Sequence, residues 1–262
     1  MKNDSLGDRM KEYENCYRFY LPKNSAIIVR LDGRAFHTFT KGFERPYDKL
    51  FAQCMWETAR KLCKNISGCK FGYTQSDEIT LVLTDYEDIK TEPWFGNNLQ
   101  KIVSISASMA TLFFNEEFRK SAGYEALQTF GTDGETAHTK ALTSRMALFD
   151  SRAFLVPREE VFNVFYWRQL DCVRNSIQLL GQAHFSYKQL QGKDQNDIQE
   201  MLFQEKGINW SKEPEWFKNG VALFKVPVEV THNDVTVMRN KWCVDLNTPM
   251  FTKDRNYIER HI

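Results

Sequence analysis

Ser25-Ala-Ile-Ile-Val-Arg-Leu-Asp-Gly33 and Lys70-Phe-Gly-Tyr-Thr-Gln-Ser-Asp-Glu-Ile-Thr-Leu-Val-Leu-Thr84 are the stretches on which the fold turns. The first is rich in β-branched residues and stops at Asp32-Gly33, a strand followed by a turn signal. The second reads as two short strands, Lys70 to Thr74 and Ile79 to Thr84, joined by Gln75-Ser-Asp-Glu78. Between the two stretches, from Tyr47 to Lys64, Leu50, Phe51, Cys54, Met55, Ala59 and Leu62 recur at helical spacing. A second long helix is predicted from about Asn97 to Arg119, with Leu99, Ile102, Val103, Ala107, Ala110, Leu112 and Phe113 on one side. The polar run from Ser121 to Arg145, holding Gly123, Gly131 and Gly134, reads as an exposed excursion. Ala147 to Val156 restores a strand pattern.

The order is therefore β-α-β-β-α-β, the split arrangement of a ferredoxin-like sheet. Pro157 then stands at a favoured helix start, with Glu159 and Glu160 in the first turn. Another helix is expected over Asp194 to Lys206, ended by Gly207. Val221 to Val230 and Val235 to Val244 read as a β-hairpin. The expectation is an α/β (α+β) chain with a catalytic core over residues 1–156. C-terminal helices and the hairpin, residues 157–262, pack on that core.

Composition agrees with an ordinary globular protein: 262 residues, 42% hydrophobic and 26% charged. Six Trp and 20 Phe exclude a disordered chain. The charged start has no apolar run behind it, and no stretch approaches the ~20 apolar residues of a membrane span. A net charge of +1 does not mark a nucleic-acid binder, so an RNA partner requires a locally basic face. The six cysteines form no Cys-x-x-Cys pair and have no grouped histidines, which argues against zinc. Reduced thiols in a cytoplasm are the simplest reading.

In a ferredoxin-like sheet the first and third strands lie side by side and antiparallel. Asp32 ends the first, and Asp77-Glu78 begin the third, so topology alone brings these acids to one sheet edge. Carboxylates gathered there repel unless a cation neutralises them. Hard oxygen donors of this kind suit Mg²⁺, which takes one or two carboxylates plus substrate phosphates. Two such ions activate an attacking oxygen and stabilise a leaving one, as in the palm of polymerases and nucleotide cyclases. The chemistry indicated is phosphoryl transfer with a nucleoside triphosphate. Each Asp is also a common turn residue, and it is their agreement with the strand order that carries weight. After Asp32, Gly33 permits close backbone approach, and the amides of the following loop suit a triphosphate.

Arg30-Leu-Asp-Gly-Arg-Ala-Phe-His37, Gly72-Tyr-Thr-Gln-Ser-Asp-Glu78, Phe149-Asp-Ser-Arg152 and Tyr166-Trp-Arg-Gln-Leu-Asp-Cys-Val-Arg-Asn175 together resemble the tRNA-His guanylyltransferase family. Its members polymerise 3′ to 5′. The resemblance, which spans roughly residues 4–225, implies a palm with two Mg²⁺ ions held by Asp32, Asp77 and the Gly33 carbonyl. Asp32, Asp77 and Glu78 are the implied catalytic acids. Asp32, Gly33, Arg34, Ala35, Phe36 and His37, with Ser76, Asp77 and Lys101, would hold ATP or GTP. Arg152, Arg174 and Asn175 match positions near triphosphate or tRNA phosphate. The implied partner is tRNA, and the implied assembly is a homotetramer.

After Trp-Arg-Gln-x-Asp-Cys the eukaryotic enzymes read His-Ile-Asn-Asn. Here the residues are Val173-Arg174-Asn175-Ser176. That pattern looks like the bacterial and archaeal guanylyltransferase-like proteins, associated with template-dependent repair of tRNAs lacking 5′ nucleotides. Two other function classes compete: a nucleotide cyclase on a similar palm, and a non-catalytic tRNA-binding scaffold. Trp167 and Phe165 are expected in the core, Arg168, Arg174 and Lys188 on a phosphate-binding or simply solvated face, and His184 structural or exposed. Cys54, Cys63 and Cys69 are expected to pack in or beside the first helix.

Overall fold

The computed structural model describes residues 5–88, 90–130, 144–232 and 235–262. Helix α1 (Ser5–Asn15) precedes strand β1 (Ala26–Gly33), the short α2 (Phe36–Phe39) and the 17-residue α3 (Lys49–Asn65). Strands β2 (Cys69–Gln75) and β3 (Glu78–Leu83) follow, then α4 (Leu99–Phe130) and β4 (Phe149–Val156). Beyond them come α5 (Val161–His184), α6 (Tyr187–Leu190), α7 (Gln195–Lys206) and α8 (Glu215–Asn219). The hairpin β5 (Val221–His232) and β6 (Val235–Asp245) and the short α9 (Asn256–Glu259) complete the chain.

The strands form one sheet in the order β4-β1-β3-β2-β5-β6. Its first four positions are the ferredoxin-like arrangement expected from the sequence. The C-terminal hairpin extends this same sheet, because β5 pairs antiparallel with β2 over Val221–Phe224. Alternation along β1 divides its side chains between two layers. Ile27, Val29 and Leu31 face α3 and α4, whereas Ala26 and Ile28 face α5 and the C-terminal Phe251, Tyr257 and Ile258.

Local chemistry sets the element ends. Asp48 caps α3 by accepting from Phe51 N–H at 2.9 Å, a contact worth about 1 kcal/mol. Asp194 caps α7, and Gly207 ends it at φ 67°, as the sequence foretold. Asn115 on α4 exchanges two hydrogen bonds, each 2.9 Å, with the backbone of Ala147, which aims the chain into β4.

Three expectations need correction. Residues 121–130 continue α4 instead of forming an excursion, because its strong helix formers outweigh a single Gly123. The remainder of that polar run, 131–143, lies outside the described residues. The buried stripe of α4 is Ile102, Ser106, Ala110, Phe114 and Phe118, and Leu112 is exposed. Pro157 opens a 3-10 turn, Arg158–Glu160, and the α-helix proper begins only at Val161. Among the described residues no helix is long and apolar enough to cross a membrane.

Gly220 joins α8 to β5 at φ 74°, ψ −170°, a region nearly closed to other residues. A Cβ there would meet the Tyr73 hydroxyl at 2.3 Å, and that hydroxyl donates to the Asn219 carbonyl at 2.7 Å. Gly207, by contrast, has nothing within 4 Å of an added Cβ. Gly220→Ala is expected to lose roughly 3 kcal/mol of unfolding free energy by strain and overpacking. Gly207→Ala is expected to lose about 1 kcal/mol. Equal urea midpoints for the two variants would refute this account.

Candidate active site

The Ser76-Asp77 turn joins β2 to β3 so tightly that Gln75 and Glu78 are already paired. Ser76 takes φ 49° to make the turn. The Gly33 N–H donates to the Asp77 carbonyl at 3.1 Å, which ties the turn to the end of β1. Asp32 lies opposite Glu78 on β3 and opposite Asp150 on β4. The sheet thus gathers Asp32, Asp77, Glu78 and Asp150 at one end. Asp150 went unnoticed as a candidate, although its motif was on the page.

These acids have different surroundings. Burial pushes the Asp77 carboxyl above the usual carboxylate range, hydrogen bonding from its own backbone opposes this, and the negative charge of Asp32 adds to the rise. Arg152 reaches Asp150 at 3.3 Å and Asp32 at 3.8 Å, so it supplies partial compensation across the strands. Glu78 is buried, and Arg168 Nε donates to its Oε1 at 2.7 Å. Burial raises the Glu78 carboxyl while Arg168 holds it down. Arg168 also reaches Asp171 at 2.6 Å, and Asp171 in turn pairs with Arg174.

A cavity of about 650 Å³ opens beside the turn. Gly33, Ala35, Phe36, His37, Ser76 and Asp77 line it, as does Asn175 from α5. The structure therefore brings these loop residues together around one cavity. Phe36 is buried among Phe39, Phe51, Phe114 and Phe149 with ring centroids 5.1–5.9 Å apart, so its ring serves the core. That packing requires Gly33, where a Cβ would meet the Phe36 ring at 2.4 Å. His37 is exposed, its Nε2 3.0 Å from the Thr38 hydroxyl. Asp32 stands outside the lining, on the sheet face. Arg34 is also outside it, and its N–H bonds the Leu148 carbonyl at 2.8 Å.

Lys101 is not brought to this place. It lies in the first turn of α4, whose Leu99 N–H bonds the Phe19 carbonyl ahead of β1. A helix that returns antiparallel to β3 must start at the far end of the sheet. Lys101 shares a depression with Glu14, Arg18 and Phe95 instead.

Sequence reasoning missed most of the cavity wall. Tyr47, Trp56, Trp216 and Phe217 form an aromatic side, with Tyr47 and Trp216 ring centroids 4.8 Å apart. Cys172, Ser176, Leu179 and Gln182 line the side given by α5. No local signal marks these residues, since they meet only through packing. Arg168 is a buried ion-pair partner and not part of a phosphate face. Phe165 is fully buried as expected, but Trp167 is 51% exposed. His184 is exposed, and Cys54, Cys63 and Cys69 are buried, as foreseen.

Asp32, Asp77 and the Gly33 carbonyl are hard oxygen donors. Among the described residues no group of three or more His, Cys, Asp or Glu side chains is arranged to hold a metal ion on its own. Any cation here would need oxygen from a bound substrate to complete its shell.

Comparison with known proteins now bears on this site. A family model described as tRNAHis guanylyltransferase (Thg1) matches residues 7–157, more than half of the chain. The chain belongs to the tRNA-His guanylyltransferase family. A solved bacterial tRNA(His) guanylyltransferase (Thg1)-like protein in complex with ATP is 43% identical, with TM-score 0.83 over 98% of this chain and 99% of that one. A second such structure, in complex with GTP, is 41% identical with TM-score 0.78, again over 98% and 99%. The tRNA(His) guanylyltransferase of Schizosaccharomyces pombe is 28% identical, covering 84% of this chain and 80% of its own. The matched segment contains Asp32 and Asp77, and α5 follows it.

Two outcomes follow from the electrostatics. In metal-free buffer Asp77→Asn is expected to be more stable than wild type at pH 7, where the folded chain bears an ionised and desolvated carboxylate. The advantage should fade as pH falls through the raised folded value and vanish below 3.8, the ordinary value, where both folded and unfolded carboxyls are protonated. A pH-independent difference in urea midpoint would contradict it. Arg168→Met should cost about 3–5 kcal/mol by stranding Glu78, and adding Glu78→Leu should recover much of the loss. Denaturation of the single and double variants checks this.

Proposed function

We propose that this chain adds nucleotides to the 5′ end of tRNA in the 3′-to-5′ direction, as a template-dependent repair enzyme for tRNAs lacking 5′ nucleotides. The observation that carries the proposal is the position of Asp77. It lines a cavity large enough for a nucleoside triphosphate, and it senses the charge of Asp32 on the open face of the sheet. One pair of acids therefore faces a nucleotide on one side and a polymer end on the other. The related bacterial structures, solved in complex with ATP and with GTP, support nucleotide substrates here.

The reaction has two parts. A 5′-monophosphorylated RNA is first joined to AMP from ATP, and pyrophosphate leaves. The 3′-hydroxyl of an incoming nucleoside triphosphate then attacks the activated 5′-phosphate, a new phosphodiester forms, and AMP leaves. A 5′-triphosphorylated RNA already carries its leaving group, so the first part is unnecessary.

The residues present fit two Mg²⁺ ions. Two carboxylates compensated only in part by Arg152 favour added positive charge, and with the Gly33 carbonyl they form an all-oxygen donor set. When bound, such ions would lower the pKa of the attacking hydroxyl and offset charge on the leaving group. The chain itself contributes binding and orientation. The backbone of 33–37 and the Ser76 hydroxyl line the triphosphate end of the cavity, while Tyr47, Trp56 and Trp216 enclose the remainder. Glu78, locked to Arg168, is a positioning residue that holds α5 against the catalytic edge. Arg152 is placed to draw in RNA phosphate once cations take over Asp32. Arg174 and Asn175 extend that contact along α5.

A homotetramer, which the family resemblance implies, is part of this reading. Helix α1 buries none of its residues and exposes Leu6, Met10 and Tyr13 on one side, with Tyr17 exposed just beyond it, a surface for self-association. The six free thiols suit a cytoplasmic setting.

The test is extension of a 5′-monophosphorylated tRNA missing its first nucleotide, with Mg²⁺, ATP and GTP. A longer RNA and released AMP are expected, with the added nucleotide complementary to its opposing base. Asp32→Ala and Asp77→Ala should each lower the rate at least about a thousandfold while the far-UV spectrum stays unchanged. Cyclic nucleotide formed without RNA, or RNA binding with no product, would overturn the proposal. Normal turnover by either variant would discard the metal assignment.

A further inference from the structure

The family segment Tyr166-Trp-Arg-Gln-Leu-Asp-Cys172 leaves one large side chain without a structural use. Trp167, on α5, is 51% exposed. Two guanidinium groups meet its ring: Arg168 at 4.3 Å from the ring centroid and Arg30 at 5.5 Å. Both arrive from the sheet side. Arg168 is buried against Glu78 of β3, and Arg30 rises from β1. The indole packs against both cations, and about half of the residue stays open to solvent.

The surroundings of this ring are basic and close to the catalytic edge. Arg30 and Asp32 share a face of β1, about 7 Å apart along the strand. Arg152 lies directly opposite Arg30 on β4 and is half exposed. Arg174 follows Trp167 by two helical turns on the same side of α5 and is exposed. The Arg30 Nε is buried and has no hydrogen-bond partner, so an N–H donor beneath the ring awaits an acceptor. An aromatic plane half open to solvent and flanked by arginines is the chemistry by which single-stranded nucleic acid ends are held.

We infer that the outward face of Trp167 is the stacking platform for the terminal base of the RNA end being extended, with Arg30 and Arg152 taking the adjoining phosphate. The inference rests on the RNA 5′-end reading above and identifies where that end sits. Nucleotide and RNA then approach the acids from different sides: the triphosphate from the cavity between α3 and α5, and the RNA from the strip formed by β1, β4 and the outer side of α5. Trp167 is a positioning residue, since it touches the RNA but not the reacting atoms. The rival account makes the ring a cover that keeps water from the Glu78–Arg168 pair.

Binding in the absence of any nucleoside triphosphate separates the two. The probe is a 5′-phosphorylated acceptor-stem RNA hairpin labelled in its loop, titrated with the full chain and followed by fluorescence anisotropy. Trp167→Leu keeps an apolar cover but no plane, and Trp167→Phe keeps a plane. Trp167→Leu is expected to raise Kd about tenfold, within the range given by removing base-stacking aromatics, and Trp167→Phe less than threefold. A hairpin abasic at its first residue should weaken wild-type binding by a similar factor and leave Trp167→Leu unaffected, because the two changes remove one contact. Affinity for GTP should be the same in all three proteins. The platform is overturned if Trp167→Leu binds like wild type, if the abasic and Trp167→Leu losses multiply, or if wild type does not bind the hairpin. Wild type that stacks the end but never extends a truncated tRNA would instead remove the reaction assignment and leave the platform standing.

Discussion

One main-chain hydrogen bond, from the Gly33 N–H to the Asp77 carbonyl, holds together the two ends on which the chemistry depends. Its net worth is only about 1 kcal/mol, so it contributes little to stability. Its effect is geometric. The β1–β3 ladder already aligns Asp32 with Glu78, and this bond draws the intervening turn onto the end of β1. Two acids distant in the chain are then close enough for the charge of one to raise the other. The folded protein carries that repulsion only partly relieved by Arg152, an arrangement that costs stability.

The two faces of the sheet are closed in different ways, and the site follows from the difference. On one face α3 and α4 bury a continuous apolar layer, stiffened by the phenylalanines around Phe36. On the other, α5 crosses only part of the surface. It is fastened by polar anchors: Arg168 to Glu78, and Gln169 to the Asn219 and Pro249 carbonyls, while Gln169 also accepts from Phe251 N–H at 2.7 Å. A helix fixed this way leaves a cavity beyond one end of the sheet and an open strip beside β1 and β4. In the reading proposed above, the first takes the nucleotide and the second the RNA end.

Strand order, both long helices and the Gly207 stop were legible because each rests on local pattern or turn chemistry. Asp32 and Asp77 were legible because a known topology converts strand ends into neighbours. Lys101, by contrast, lies in a separate depression with Glu14, Arg18 and Phe95. A lysine near a helix start carries no sign of which sheet end that start adopts. Arg168 and Trp167 adjoin in the chain; Arg168 was expected on a phosphate-binding or solvated face and Trp167 in the core, and the structure reverses them. The buried, cation-accepting Glu78 draws the first inward, and the helical rotation of one residue leaves the second facing water. The extension of α4 over 121–130 was hidden by a glycine whose cost the neighbouring residues absorb.

By itself the sequence determined the β-α-β-β-α-β order, the acids at the strand ends and the family, since these depend on periodicity, turn residues and motif spacing. Tertiary structure alone decided which end of the sheet holds Lys101, that the C-terminal hairpin extends the same sheet, and which side chains enclose the cavity. It also decided that Arg168 is paired and Trp167 open. These depend on contacts between segments far apart in the chain, and the free energy of such contacts is not written in any one segment.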